Sequence, residues 1–126
     1  MKILVAEDEP MLLKTIELKL RKEGYEVIAT ADGRDAIAKI AEAEPDMVLT
    51  DIMMPYASGL EIVSIVKQPG KKRIPVIILS AMEQEKVVME AFELGADDYI
   101  TKPFSLNELV IRVKRLMNQY NRNHIG

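Results

Sequence analysis

The chain contains no cysteine and only one histidine among its 126 residues. Without cysteine there is no disulfide scaffold, no thiol nucleophile and no thiolate-bound metal, which suits a reducing compartment. His124 stands alone near the carboxyl terminus, so neither a histidine metal cage nor a phosphohistidine is expected. No apolar run approaches the roughly 18 residues of a spanning helix. The start, Met1-Lys2-Ile3-Leu4-Val5-Ala6, is too short and too soon acidic for a signal peptide. A glycine-rich phosphate loop is also missing, which argues against nucleotide binding. Net charge is -3, from 17 basic and 20 acidic side chains, so there is no global nucleic-acid footprint. The short basic run Lys71-Lys72-Arg73 reads as a solvated turn. These absences leave one soluble cytoplasmic domain without membrane association, long enough to enclose a hydrophobic core.

What is present is a set of short apolar runs, each followed by a polar residue. Ile3-Leu4-Val5-Ala6 has the unbroken hydrophobicity of a strand covered on both faces, and it ends in Glu7-Asp8-Glu9 and Pro10. Leu13, Ile16 and Leu20 then recur at helical spacing up to about Glu23, with Gly24 as the C-terminal stop. Tyr25 to Ala29 reads as a more polar strand at a sheet edge. A turn at Asp32-Gly33 leads to a helix carrying Ala36, Ile37, Ile40 and Ala41. Asp46 to Thr50 form a third strand with Asp51 just past it, and the next helix spans about Gly59 to Lys67. Pro75 to Leu79 is the most apolar strand and ends at Ser80. A helix from about Glu83 to Leu94 stops at Gly95, and Asp97 to Thr101 make the last strand before Lys102-Pro103. Ser105 caps a final helix reaching about Gln119, so residues 1–119 form the domain and 120–126 a frayed tail or the start of a linker.

Five strands alternating with five helices describe a doubly wound parallel α/β sheet. Right-handed crossovers place every carboxyl end on one edge, where ligands bind. That rule gathers Glu7, Asp8, Asp51, Ser80 and Lys102. Carboxylates brought together repel one another and call for a cation or raised pKa values. An all-oxygen set favours a hard divalent ion, Mg2+ or Mn2+. A carboxylate such as Asp51, beside a metal and a lysine, is suited to forming an aspartyl phosphate. Lys102 and Ser80 would contact further phosphate oxygens. The plainer alternative is that Asp8 and Asp51 cap the helices that follow them and that Lys102 pairs with a neighbouring acid.

The segments "ILVAEDEP", "PDMVLTDIMMP", "PVIILSA" and "GADDYITKPFS" together resemble the receiver domain of bacterial two-component response regulators, over about Lys2 to Gln119. The resemblance implies a flavodoxin-like three-layer (βα)5 sandwich with strand order 2-1-3-4-5. It implies Asp51 as phosphoacceptor from a sensor histidine kinase, with Asp8, Glu7, Asp51 and the Met53 main-chain carbonyl holding the metal. Lys102 and Ser80 contact the phosphoryl group, Ser80 and Tyr99 act as the switch pair, and the Lys102-Pro103 bond is cis. The domain is then a switch and not an enzyme. Where many relatives have two aspartates, this chain has Glu7-Asp8. Met53 and Met82 occupy positions that flank the phosphoryl group in the family. Apolar side chains there cannot orient an attacking water, so a long-lived phosphoryl group is expected.

For the output, Lys86, Asp97, Asp98, Glu108, Arg112 and Arg115 resemble the dimer contacts of the winged-helix (OmpR/PhoB-like) class, paired as Lys86–Glu108, Asp98–Arg112 and Asp97–Arg115. The competing reading pairs Glu108 with Arg112 inside one helix. A homodimer on phosphorylation is expected, with control of transcription through a DNA-binding domain outside this chain. The alternative output is a stand-alone receiver acting through protein contacts. An Asp-nucleophile phosphohydrolase is disfavoured, because the acid such enzymes place two residues further on is Met53 here. A flavin-binding domain is disfavoured by the acid-lined pocket.

Overall fold

The computed structural model describes residues 1–81 and 85–125, with side chains placed as far as Asn121. The side chains of Met82 and His124, and the expected helix start at Glu83, lie outside the described residues. Strand and helix alternate as β1 (Lys2–Ala6), α1 (Pro10–Lys22), β2 (Glu26–Thr30), α2 (Gly33–Ala43), β3 (Met47–Asp51), α3 (Gly59–Val66), β4 (Val76–Ala81), α4 (Glu85–Glu93), β5 (Asp98–Lys102) and α5 (Leu106–Ile125). The strands form one parallel sheet in the order β2-β1-β3-β4-β5, as expected.

Alternation along the strands divides the core in two. Ile3, Val5, Leu49, Ile77 and Leu79 pack with Ile16 and Leu20 of α1 and with Leu109 and Val113 of α5. Leu4, Val48 and Ile78 pack with Ala36 of α2, Ile62 and Val63 of α3 and Val88 of α4. The sheet is therefore the middle of three layers, and its central strands are apolar on both faces. Each fully buried Leu or Ile contributes about 1.5–3 kcal/mol of burial free energy. The outer strands β2 and β5 are buried only at isolated positions, which accounts for their more polar sequences. Among the described residues no helix is long and apolar enough to cross a membrane.

Two boundaries differ from expectation in ways that bear on function. Asp51 is the last residue of β3 and pairs in register with Leu79, so its backbone is fixed by the sheet. Helix α5 does not end near Gln119 but continues to Ile125. Its last turns carry little apolar pattern, and the side chain that ties them down, Tyr120, is bound by polar contacts to residues far away in sequence.

Candidate functional site

The carboxyl ends of β1, β3, β4 and β5 meet at one edge of the sheet. Glu7 follows β1 directly, and its backbone N–H donates to the Thr30 carbonyl at 3.1 Å. Its side chain is fully buried and accepts from the Glu9 N–H at 3.0 Å. Asp8 is exposed, Asp51 is 7% exposed, and the ligand oxygens of Glu7, Asp8 and Asp51 lie within 4.8 Å of one another. Lys102, at the end of β5, donates to Glu7 Oε1 at 2.6 Å and to Asp51 Oδ2 at 2.9 Å. One ammonium thus bridges two carboxylates that belong to different strand ends.

Electrostatics follow from that arrangement. Burial pushes the Glu7 carboxyl above the usual carboxylate range, and the Asp51 charge adds to the rise against the opposing pull of Lys102 and the Glu9 N–H. Burial works against the Lys102 charge, but its hydrogen bonds to Glu7 and Asp51 outweigh that and hold the ammonium above the ordinary lysine range. Three carboxylates against one lysine leave an excess of negative charge at a partly enclosed, oxygen-only site. The donor set fits a hard divalent cation, with Glu7, Asp8 and Asp51 as the protein ligands.

The capping alternative fails on geometry. The N-cap of α1 is Glu9, which makes no side-chain cap bond, and that of α3 is Ser58, whose hydroxyl accepts from Glu61 N–H. Neither Asp8 nor Asp51 is the cap of the helix that follows it. Lys102 does pair with neighbouring acids, and those acids are the site. The backbone beneath Asp51 is also tightly packed: a Cβ on Gly59 would sit 2.5 Å from the Asp51 carbonyl oxygen and 2.8 Å from Ile52 Cα.

Ser80 is buried near the end of β4, paired in register with Thr101. Tyr99 lies in β5, 41% exposed, with its ring packed edge-on against Phe92 at 5.7 Å. Met53 follows the site and is exposed. The Lys102-Pro103 bond is cis. Of the expected dimer residues, Lys86 and Arg115 are exposed on α4 and α5. Within the chain Arg112 donates to Asp98 at 2.9 Å and to Glu108 at 3.1 Å, so the helix-internal pairing is present together with one to β5. Asp97 is occupied too: it accepts from Lys67 Nζ at 2.9 Å, from the Tyr120 hydroxyl at 2.8 Å and from Val76 N–H at 2.8 Å.

Three parts of this picture leave no usable mark in the sequence: the Lys67–Asp97–Tyr120 node, the Phe92 partner of Tyr99, and the contacts that Gly33 and Arg34 make with the loop after Asp51. The four-residue spacing of Phe92 from Val88 on α4 places it near the core face, but says nothing of Tyr99.

A family model described as response regulator receiver domain matches residues 3–114. The receiver domain of Francisella response regulator 1452 is 36% identical with a TM-score of 0.84, over 94% of this chain and 97% of that one. A putative response regulator from Chloroflexus aurantiacus is 34% identical with a TM-score of 0.85, over 93% of this chain and 97% of that one. NtrX from Brucella abortus is 26% identical with a TM-score of 0.89, but 98% of this chain matches only 28% of that protein.

Proposed function

The chain belongs to the response regulator receiver domain family, and from that membership we propose that it is a phosphorylation-controlled switch whose phosphoacceptor is Asp51. The observation that carries this reading is the Lys102 bridge between Glu7 and Asp51 inside a cluster of three carboxylates. In this proposal an Asp51 carboxylate oxygen attacks the phosphorus of a phosphohistidine on a partner kinase. The new O–P bond forms as the N–P bond to the kinase histidine breaks, and the imidazole leaves with the bonding pair. Lys102, already placed against Asp51, turns its ammonium to an oxygen of the transferred group, and the Ser80 hydroxyl donates to another. Glu7, Asp8, Asp51 and the Met53 carbonyl would hold Mg2+ or Mn2+, which supplies neutralisation of the phosphoryl oxygens.

The switch reading extends to output. A phosphoryl group drawing in the Ser80 hydroxyl gives Tyr99 an inward position, in place of its contact with Phe92. The affected face is α4, β5 and α5, and a homodimer of the winged-helix (OmpR/PhoB-like) kind would join there, with transcription controlled by a DNA-binding domain outside this chain. That dimer requires partner exchange, because Arg112 and Asp97 must release Asp98 and Lys67 before meeting a second copy. The domain acts by its covalent state and not by turnover of substrate.

The test is incubation with Mg2+ and acetyl phosphate followed by intact mass. One added phosphoryl group, absent in Asp51→Asn, is the expected result. An unmodified parent chain under these conditions would contradict the proposal.

A further inference from the structure

The loop between β3 and α3, residues 52–58, carries a backbone feature that its sequence does not favour. Tyr56 has φ of 72°, in the left-handed region that L side chains avoid. The Ala57 N–H donates to the Pro55 carbonyl at 2.9 Å, across a single intervening residue. An i to i+2 hydrogen bond around a positive φ is the rarer and more strained form of γ-turn. Such outliers persist only where surrounding structure over-determines them, and they concentrate at working sites.

The surroundings that hold this turn come from α2. Asp32 fixes the start of that helix by accepting from Asp35 N–H at 2.8 Å. The Gly33 N–H, among the first donors of the helix that have no partner within it, donates to the same Pro55 carbonyl at 3.0 Å. Gly33 lies so close to the loop that a Cβ there would overlap the Ala57 carbonyl. The Arg34 guanidinium sits over the Tyr56 ring, 4.1 Å from its centroid. At its neck the loop is closed by Gly59 N–H donating to the Ile52 carbonyl at 2.8 Å, directly beside Asp51. Met53 and its carbonyl lie between that neck and the strained turn.

We propose that Gly33 and Arg34 are positioning residues for phosphoryl acceptance: they hold the 52–58 loop in its strained turn and so fix the Met53 carbonyl beside Asp51. This inference rests on the reading of Met53 as a metal ligand given above. Neither residue touches the reacting atoms; both act through the loop. The clamp shifts the loop's equilibrium only by the difference in its contacts between held and released states.

The experiment is an amide NMR titration of the whole chain with MgCl2, alongside thermal melts in chelator. Arg34→Ala weakens Mg2+ binding by roughly two- to fivefold, the fold-change equivalent of an exposed cation–π contact, with little change in the metal-free melt. Arg34→Lys keeps a cation over the ring and retains most of the affinity. Gly33→Ala loses more than Arg34→Ala, since its added carbon displaces the loop backbone. In a Tyr56→Gly background the turn no longer needs the clamp, so Arg34→Ala has no further effect there. Unchanged Mg2+ affinity in both Gly33→Ala and Arg34→Ala, whatever their melts, overturns the inference. An equal loss from Arg34→Ala with and without Tyr56→Gly overturns it as well. A parent chain that neither binds Mg2+ nor takes up phosphate sinks the proposed function, and this inference with it; a parent that does both beside unaffected variants sinks this inference alone.

Discussion

Replacing Lys102 by methionine keeps an unbranched side chain, shorter only by the terminal ammonium, and removes its charge. The ammonium lost is the one that bridges Glu7 and Asp51, at 2.6 and 2.9 Å. Glu7 is fully buried, so among the described residues its carboxylate in Lys102→Met keeps the Glu9 N–H and faces Asp51 unshielded. Removing one partner of a buried pair costs about 3–5 kcal/mol. Lys102 is 24% exposed, so solvent screens part of this, and about 2–4 kcal/mol is the expected loss at neutral pH. For a chain of this size that lowers the melting temperature by roughly 10 °C.

The pH dependence carries the sharper test. Burial raises the Glu7 pKa in the folded protein even with Lys102 present, and taking away the lysine removes a lowering influence, so it rises further. A carboxylate raised on folding is protonated more readily in the native state. Its contribution is fully present below the unfolded pKa and is lost as pH climbs through the folded value. Parent and Lys102→Met should therefore melt at similar temperatures at the acid end and diverge as pH rises above the ordinary glutamate range. Melts followed by circular dichroism from mildly acidic to mildly alkaline pH, in chelator, measure this. A variant as stable as the parent at the alkaline end, or a deficit that does not change with pH, would refute the electrostatic account of the site.

Gly59→Ala brings a carbon against the Asp51 carbonyl and Ile52 Cα, and neither backbone atom can move cheaply. A loss of about 1–3 kcal/mol is expected in chemical denaturation, despite alanine's better helix propensity. Tyr120→Phe removes the hydroxyl that donates to Asp97 and accepts from Lys67, so a loss of about 1–2 kcal/mol should appear, with faster amide exchange in the last turns of α5. Met53→Asn supplies a polar group able to hold water near the phosphoryl group proposed on Asp51, so the half-life of that group should shorten by about tenfold, the rate equivalent of one hydrogen bond. Decay of the phosphorylated mass measures that ratio; equal half-lives, or a parent half-life of seconds, would contradict the role given to Met53.

The parts of the fold that can be read in the sequence are those where a single physical demand repeats. Strands buried on both faces must be apolar throughout, so Ile3 to Ala6 and Val76 to Leu79 announce themselves. A parallel sheet then brings its carboxyl ends together without further information, which is why Glu7, Asp51, Ser80 and Lys102 can be grouped. Pairings between distant polar residues carry no periodicity. Asp97 resembles a contact for a second subunit, and nothing in the sequence pattern signals that within the chain its carboxylate accepts from Lys67 and Tyr120, 30 and 23 residues away. The same node explains why α5 outlasts its apolar stripe. Tyr56 is illegible for the opposite reason: a tyrosine at positive φ contradicts its own preference, and the contacts of Gly33 and Arg34 with its loop come from another element.

The polar knot at Tyr120 has a mechanical consequence. It lies at the amino-terminal edge of the sheet, opposite the edge that carries Asp51. There Lys67 also donates to the Ile74 carbonyl, and Asp97 is bonded to β4 through the Val76 N–H. Tyr120 sits well along α5 from its start at Leu106, so about 20 Å of helix separates the knot from that start. A rod pinned at one end cannot slide along its axis; it can only swing. Under the proposed switch, a displacement that begins near Tyr99 would reach the last turns of α5 as a change of angle about Tyr120 and not as a shift along the axis.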